Sequence, residues 1–328
     1  MKAFIKNLTN STITEYIHDK SGEMPNTDIR PAVLVFPGGG YMMCSDREAD
    51  PVALAYLAEG YNAFILRYTV GIDEPVSKSF ADADEAMAYL HSNAGELNID
   101  KDKIAVVGFS AGGHLAAWLS NHGKIKPQAA VLGYPAILAE SGKMLRKEFP
   151  ELCEKVSKNT PPTFIFTTRN DTVVAADHSL QYAMVLNKAK VGYELHIFSD
   201  GLHGLSMART FTSSGNAKMV NDDVAQWFGL SVRWLKSILG DFAVSDGAGY
   251  NGPLNSHAPI SLIMENTDIW KVVTGFLPAA AAMVKQSEES GGSDALTGAS
   301  LRQIAPFSDN AFTEEQLDML DNKLRKEV

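Results

Sequence analysis

A serine between glycines is the feature of this 328-residue chain most suited to chemistry. Ser110 lies within residues 108–112, which read Gly-Phe-Ser-Ala-Gly. The apolar stretch 103–107 leads into this turn and a helical pattern follows it, so the sequence predicts a strand, a sharp turn and a helix. A serine hydroxyl is a weak nucleophile until a base takes its proton, so we look for a histidine and for a carboxylate that orients it.

Asp171 is the candidate for the orienting carboxylate. It follows the apolar stretch 163–168, a predicted strand, so its side chain would lie at the carboxyl end of a sheet. An aspartate here could instead cap the helix predicted over 173–190, which is a common use of this residue. Asp177 is a second choice, although it falls inside that predicted helix, and Asp200 lies too close to the histidine loop.

His203 is the candidate base. It lies between glycines in a loop that follows the predicted strand 193–198. The resulting chain order of serine, acid and histidine is the order found where a serine occupies this type of turn. His196 falls mid-strand and His114 falls in the first turn after the serine, so both are interpreted as packing or hydrogen-bonding residues.

Backbone N–H groups are needed to stabilise the negative charge that forms on an attacked carbonyl oxygen. Ala111, directly after the serine, is expected to supply one of them. Residues 36–41 (Phe-Pro-Gly-Gly-Gly-Tyr) follow another predicted strand and are expected to supply the second, because glycines allow a close backbone approach. This turn is neither a P-loop nor a dinucleotide fingerprint. Tyr41 and Met42 adjoin it and are expected to shape an acyl pocket.

Strands and helices alternate through most of the chain. The alternation predicts an α/β fold in which a mostly parallel sheet carries helices on both faces, and residues 11–17 predict an edge hairpin. The candidate residues all follow strands, so they should meet at one edge of the sheet. The polar insertion 136–161 could form a cap over this edge or a plain surface helix.

Composition changes after residue 240. A stretch rich in Gly, Pro, Asn and Ser over 241–257 predicts a linker between a domain at 1–240 and a small helical module at 258–328. Helical patterns in this module cover 268–285 and 313–326, and Thr313 with Gln316 predicts a capping box.

Bulk properties exclude several classes of protein. The net charge of −10 argues against a nucleic-acid partner, because no basic stripe is available to neutralise phosphates. No apolar run reaches the roughly 20 residues of a membrane span, and the N-terminus turns polar too soon for a signal peptide. With Cys44 and Cys153 as the only cysteines, we expect free thiols, a cytoplasmic location and no metal site.

Four motifs together resemble the α/β-hydrolase superfamily, and more narrowly the bacterial esterases related to acetyl-xylan esterases and hormone-sensitive-lipase-like carboxylesterases. They lie at 37–41, 108–115, 171–174 and 201–204, and the similarity spans about 30–240. The resemblance implies a catalytic triad of Ser110, Asp171 and His203, with oxyanion donors from Gly39 or Gly40 and from Ala111. Pro37 replaces the histidine of the lipase His-Gly-Gly-Gly turn, which leaves the donor glycine open.

The C-terminal module resembles small helical modules attached to some bacterial carbohydrate-active enzymes, through residues 300–307 and 312–317. The predicted function is therefore a cofactor-independent serine esterase that removes short acyl groups, acetyl foremost, from carbohydrates such as xylo-oligosaccharides. Its expected partner is that small-molecule or oligosaccharide ester, without membrane association, and the module could serve as a contact between copies or cover part of the active-site rim. A serine peptidase or amidase of the same fold, and a non-catalytic binding protein, remain as alternatives.

Overall fold

The computed structural model describes residues 1–145, 147–244, 252–289, 293–308 and 311–327. They divide into two compact units, one comprising Met1–Asp19 and Thr27–Asp241 and the other Lys20–Asn26 and Phe242–Val328. The grouping of segment 20–26 with the C-terminal unit is not predicted by any sequence pattern. Residues 245–251, within the predicted linker 241–257, lie outside the described part of the chain.

The first unit is built on one mixed sheet. Its strands follow the spatial order β1-β2-β4-β3-β5-β6-β7-β8, in which β1 and β2 form the antiparallel edge and all pairs from β4 to β8 are parallel. The strands are β1 (Lys2–Asn7), β2 (Thr12–Ile17), β3 (Arg30–Phe36), β4 (Asn62–Arg67), β5 (Ile99–Phe109), β6 (Ala129–Gly133), β7 (Thr163–Thr168) and β8 (Tyr193–Phe198). The predicted α/β fold with a mostly parallel sheet is confirmed.

Helices cover both faces of this sheet because its central strands are apolar on both sides. In β3, Val33 and Val35 pack into one hydrophobic layer and Leu34 and Phe36 into the other, as the two-residue period of a strand requires. The helices of the first unit are α1 (Asp50–Ala58), α2 (Val76–Ser92), α3 (Ala111–His122), α4 (Glu140–Leu145), α5 (Asp177–Lys188), α6 (Asp222–Ala225) and α7 (Trp227–Leu239).

The strand register brings the ends of several strands to one edge. Phe36 at the end of β3 pairs with Gly108, and Phe109 at the end of β5 pairs with Gly133. The last residues of β7 and β8, Thr168 and Phe198, are also paired. The loops that follow these strands therefore begin side by side, which places the candidate residues within reach of one another.

Two helical segments of the first unit differ from the sequence pattern. The helix predicted from 173 begins at Asp177, because the N–H groups of Val173 and Val174 donate to the Asp171 side chain and not to a helical turn. The sequence also has a helical pattern over 219–239, which the structure divides into α6 and α7. Asn221 caps α6 by accepting hydrogen bonds from the N–H groups of residues 223 and 224.

The C-terminal unit is helical and has its own apolar core. Its helices are α8 (Ile260–Glu265), α9 (Thr267–Phe276), α10 (Pro278–Glu289), α11 (Ser293–Gly298), α12 (Leu301–Ile304) and α13 (Glu314–Glu327). The single helix predicted over 268–285 is interrupted at Leu277, because proline at 278 starts a new helix more readily than it continues one. Thr313 and Gln316 exchange the two hydrogen bonds of the predicted capping box.

Candidate active site

Ser110 occupies a strained turn between β5 and α3. Its φ and ψ are 52° and −115°, a conformation that L-residues rarely adopt, and its N–H donates to the Gly133 carbonyl at 3.0 Å. The turn also brings backbones into close approach, since a Cβ on Gly112 would lie 2.0 Å from the Phe36 carbonyl oxygen. Packing thus over-determines the turn and presents the hydroxyl at the edge where the strands end.

Asp171 lies where an orienting carboxylate is expected, and it does not cap α5, which begins only at Asp177. Its Oδ1 accepts hydrogen bonds from the N–H groups of Val173 and Val174 at 2.8 and 2.9 Å, which closes a local turn ahead of α5. Its Oδ2 lies 2.6 Å from Nδ1 of His203. The carboxylate is therefore fixed from one side by backbone donors while its other oxygen faces the histidine. Asp177 is exposed at the start of α5, and Asp200 pairs with the Asn170 side chain.

His203 connects the carboxylate to the serine. Its Nε2 lies 2.8 Å from Ser110 Oγ, and its Nδ1 faces Asp171. Because an ionised carboxylate can only accept, Nδ1 carries the proton, and Nε2 of the neutral ring then accepts from the serine hydroxyl. The three residues singled out from the sequence thus form one continuous hydrogen-bonded chain.

The glycine-rich turn after β3 leaves two of its three glycine N–H groups as candidates for the oxyanion site. Gly38 donates its N–H to Glu48 Oε2 at 2.8 Å and is therefore engaged. Gly39 and Gly40 follow with φ of 125° and 64°, and a side chain on Gly39 would meet the Met43 carbonyl oxygen at 2.2 Å. Gly39 and Gly40 line the same cavity as Ala111, the first residue of α3.

This cavity has a volume of about 340 Å³ and opens beside Ser110 and His203. The structure places the predicted pocket residues differently from expectation. The Tyr41 ring is only 1% exposed and packs edge-on against Tyr68 and Phe149, with its hydroxyl 2.8 Å from Nδ1 of His114. Met42 is also not among the lining residues, which are Gly39, Gly40, Met43, Ser45, Arg47, Glu48, Ser110, Ala111, Ala136, Ser141, Val173, Val174, His203 and Gly204. A positive φ of 57° at Tyr41 turns the chain, so the wall is formed by Met43.

Sequence reasoning missed Glu48 and Tyr134. The sequence pattern places Glu48 at the start of a helix over 48–59, yet its side chain is buried, accepts the Tyr134 O–H at 2.7 Å and lines the cavity. The Tyr134 ring lies 5.0 Å from the His203 ring, centroid to centroid, in an edge-to-face arrangement. Nothing in the local pattern distinguishes Glu48 from a solvated residue at a helix start, so only the fold reveals it.

His114 is buried behind the nucleophile turn, as its sequence position predicted, and burial lowers its pKa from 6.5 to about 3. Between these values the unfolded chain binds the proton and the folded chain does not, so stability falls as the pH falls through this window. We expect His114→Asn, whose Oδ1 can replace Nδ1 as the partner of Tyr41, to lose less stability than the wild type between pH 6.5 and 4. Urea unfolding at several pH values measures this difference.

The matched control is His257→Asn, because His257 is exposed. This variant should keep the pH dependence of the wild type. If the free energy of unfolding changes equally with pH in His114→Asn and in the wild type, His114 is not the titrating group.

Comparison with known proteins agrees with the fold and the order of motifs. A model of the BD-FAE family matches residues 23–128, and a model of the prolyl oligopeptidase family matches residues 139–228. The crystal structure of MGS-M1, an α/β hydrolase enzyme from a Medee basin deep-sea metagenome library, shares 47% identity and a TM-score of 0.69. The match covers 73% of this chain and 98% of that one.

Two further relatives have names that refer to xylan chemistry. An acetyl ester-xyloside bifunctional hydrolase from Caldicellulosiruptor lactoaceticus is 33% identical with a TM-score of 0.61, over 71% of this chain and 90% of that one. The endo-1,4-beta-xylanase B of Butyrivibrio fibrisolvens is 33% identical over 58% of this chain, which spans only 35% of that longer protein. The present chain belongs to the α/β-hydrolase superfamily, and these similarities group it with the carboxylic ester hydrolases.

The described residues provide neither a membrane-spanning helix nor a cluster of metal-ligating side chains. No helix among them is long and apolar enough to cross a membrane. No group of three or more His, Cys, Asp and Glu side chains in this part of the chain is arranged to hold a metal ion. Cys44 and Cys153 are both free thiols, and burial raises the pKa of Cys44 to about 11.

Proposed function

We propose that the chain is a serine esterase that removes short acyl groups, acetyl foremost, from acylated carbohydrates. The observation that carries the proposal is the hydrogen-bonded chain from Ser110 through His203 to Asp171, which opens on a cavity lined by Gly39, Gly40 and Ala111. The carbohydrate part of the proposal is supported by the relatives, whose names refer to xylanase and to acetyl ester-xyloside hydrolysis.

In the proposed reaction Ser110 Oγ attacks the acyl carbonyl while Nε2 of His203 takes the hydroxyl proton. The carbonyl oxygen of the ester, which becomes negative, accepts a hydrogen bond from the N–H group of Ala111 and one from that of Gly39 or Gly40. His203 then returns the proton to the departing alcohol, leaving the acyl group on the serine. A water molecule that loses its proton to His203 releases the acid. Asp171 keeps the ring in the tautomer that both steps need and stabilises the imidazolium.

A peptidase is the second candidate, because the prolyl oligopeptidase model matches the segment that contains Asp171 and His203. The two candidates differ in leaving group, since an amine must be protonated as it leaves whereas nitrophenolate needs no proton. Comparing p-nitrophenyl acetate with an aminoacyl p-nitroanilide separates them. Faster turnover of the anilide would favour the peptidase.

The proposal is tested by acetate release from acetylated xylo-oligosaccharides, with Ser110→Ala as the blank. Serine-dependent release is expected. If the wild type cleaves p-nitrophenyl acetate but releases no acetate from the oligosaccharide, the esterase chemistry stands and the xylan substrate is wrong.

The cavity predicts a preference for short acyl chains. Each CH₂ that is buried favours binding by about 0.8 kcal/mol, but the cavity of about 340 Å³ must hold the alcohol part of the ester as well as the acyl chain, which leaves little room for a long chain. We expect kcat/KM for p-nitrophenyl acetate to exceed that for the octanoate at least about 10-fold, a difference of about 1.4 kcal/mol in transition-state binding. Initial rates over a series of acyl lengths measure it.

Two neighbouring methionines provide a matched pair for this prediction. Met43 lines the cavity and Met42 does not. Met43→Ala should lower the ratio of kcat/KM for the acetate to kcat/KM for the octanoate, and Met42→Ala should leave this ratio unchanged. The cavity would not be the acyl site if both variants kept the wild-type ratio.

A further inference from the structure

Glu48 is a buried carboxylate that joins two loops of the candidate site. It is 3% exposed, and its two oxygens accept from different elements. Oε2 accepts the Gly38 N–H at 2.8 Å, directly before the candidate oxyanion donors, and Oε1 accepts the Tyr134 O–H at 2.7 Å. The Tyr134 oxygen in turn accepts the Ser206 N–H at 2.9 Å. A chain of hydrogen bonds therefore runs from the glycine turn to the loop that carries His203.

Arg47, the preceding residue, contacts the same histidine loop. Its Nη1 donates to the carbonyl of Gly204 at 2.8 Å and to that of Thr212 at 3.3 Å. The Ser206 hydroxyl donates back to the Arg47 carbonyl, and the Trp227 indole N–H donates to the Ser206 carbonyl at 2.9 Å. The short segment that bears Glu48 is thus attached to residues on the C-terminal side of His203 by several independent bonds.

Backbone strain is concentrated along this network. Tyr134 and Ser206 have φ of 36° and 54°, a region in which non-glycine residues are uncommon. Such conformations persist where the surrounding structure over-determines them, and they cluster at functional sites. Burying a carboxylate is also unfavourable unless its oxygens are satisfied, and here each oxygen receives a donor. Neither feature is needed to close an apolar core.

We propose that Glu48 is a positioning residue, which sets the glycine turn and the histidine loop at the mutual geometry that acyl transfer requires. It acts through Gly38 on the N–H groups of the following glycines and through Tyr134 on the loop of His203. This inference rests on the proposed esterase function. A carboxylate suits the task because it offers two acceptors, whereas glutamine offers one oxygen and directs an NH₂ group at the other partner.

The test uses Glu48→Gln and Tyr134→Phe in the full chain, with p-nitrophenyl acetate as substrate. A misplacement of about 1 Å in a catalytic group can cost about 100-fold, so we expect kcat to fall about 10- to 100-fold with little change in KM. The affinity for phenylboronic acid, whose adduct with the serine mimics the tetrahedral intermediate, should fall by the same factor as kcat/KM.

The chain offers a matched control for both substitutions. Glu15 on β2 is 5% exposed, and its Oε1 accepts the O–H of Tyr89, on α2, at 2.7 Å. Glu15→Gln and Tyr89→Phe remove the same chemical groups away from the cavity, so they should leave kcat within about twofold of the wild type even where they lower the melting temperature.

Each outcome is decisive for a different claim. If Glu48→Gln and Tyr134→Phe lower only the melting temperature and keep kcat and boronate affinity, Glu48 is merely structural and the inference is overturned. If Glu48→Gln does not fold, Tyr134→Phe decides alone, because it removes one hydroxyl and keeps the ring. If the wild type fails to hydrolyse any ester, the proposed function itself is overturned. This result differs from the one that overturns the inference, in which the wild type is active and the variants keep its activity.

Discussion

Ser110→Ala and His203→Ala are each expected to reduce kcat for p-nitrophenyl acetate by about 10⁵- to 10⁶-fold, and the double variant is expected to be no worse than either. The reason is that the hydroxyl and the imidazole act as one unit, joined at 2.8 Å, so that removing either partner removes the activated nucleophile. Steady-state rates of the two single variants and the double variant, corrected for uncatalysed hydrolysis, give the comparison.

The exposed His257 supplies the control for this series. His257→Ala should retain wild-type kcat, and all variants should keep a melting temperature near that of the wild type, because neither Ser110 nor His203 belongs to the apolar core. Multiplicative losses in the double variant would show that the two residues act independently, which contradicts a shared nucleophile.

Asp171→Asn is expected to lower kcat about 10⁴-fold while leaving the melting temperature almost unchanged. The asparagine oxygen can still accept hydrogen bonds from the N–H groups of Val173 and Val174, so the turn that precedes α5 survives. Its NH₂ group then faces Nδ1 of His203 and favours the tautomer in which Nε2 carries the proton. In that tautomer the ring cannot take the proton of Ser110.

Asp171→Ala separates the two roles of this carboxylate. It removes the acceptor of this turn as well as the orienting oxygen, so it should lose activity like Asp171→Asn and also lose about 1 kcal/mol of stability. Paired measurements of kcat and of the free energy of unfolding distinguish the variants. Equal stability of the two would mean that the backbone hydrogen bonds to Oδ1 contribute little, whereas an active Asp171→Asn would remove the residue from the proposed triad.

Residue patterns were sufficient to predict the sheet and the approach of the three candidate residues. Apolar strands precede the loops that carry Ser110, Asp171 and His203. Because parallel strands bring their carboxyl ends to a common edge, this order predicts that the three side chains lie close together. The α/β fold is confirmed, and the structure places the three side chains in hydrogen-bond contact. Their catalytic roles stay a prediction that the variants above address.

The sequence could not predict contacts that depend on how a loop folds back onto the rest of the structure. Tyr41 was expected in the acyl pocket because it adjoins the glycine turn, but a positive φ carries its ring into the core and leaves Met43 at the wall. Glu48 was hidden for a related reason, because its partners Gly38 and Tyr134 are 10 and 86 residues away in sequence. Adjacency in sequence predicts neither which side chain faces a cavity nor which carboxylate is buried.

The central claim is that Ser110 forms a covalent intermediate activated by His203. Labelling with a fluorophosphonate, followed by mass spectrometry of the digested chain, tests it most directly, because the reagent leaves a phosphonyl group on the attacking oxygen. We predict one label per chain on the peptide that contains Ser110, and none when His203 is replaced by alanine. An unlabelled Ser110 in a chain that still hydrolyses esters, or a label on a different serine, would contradict the account.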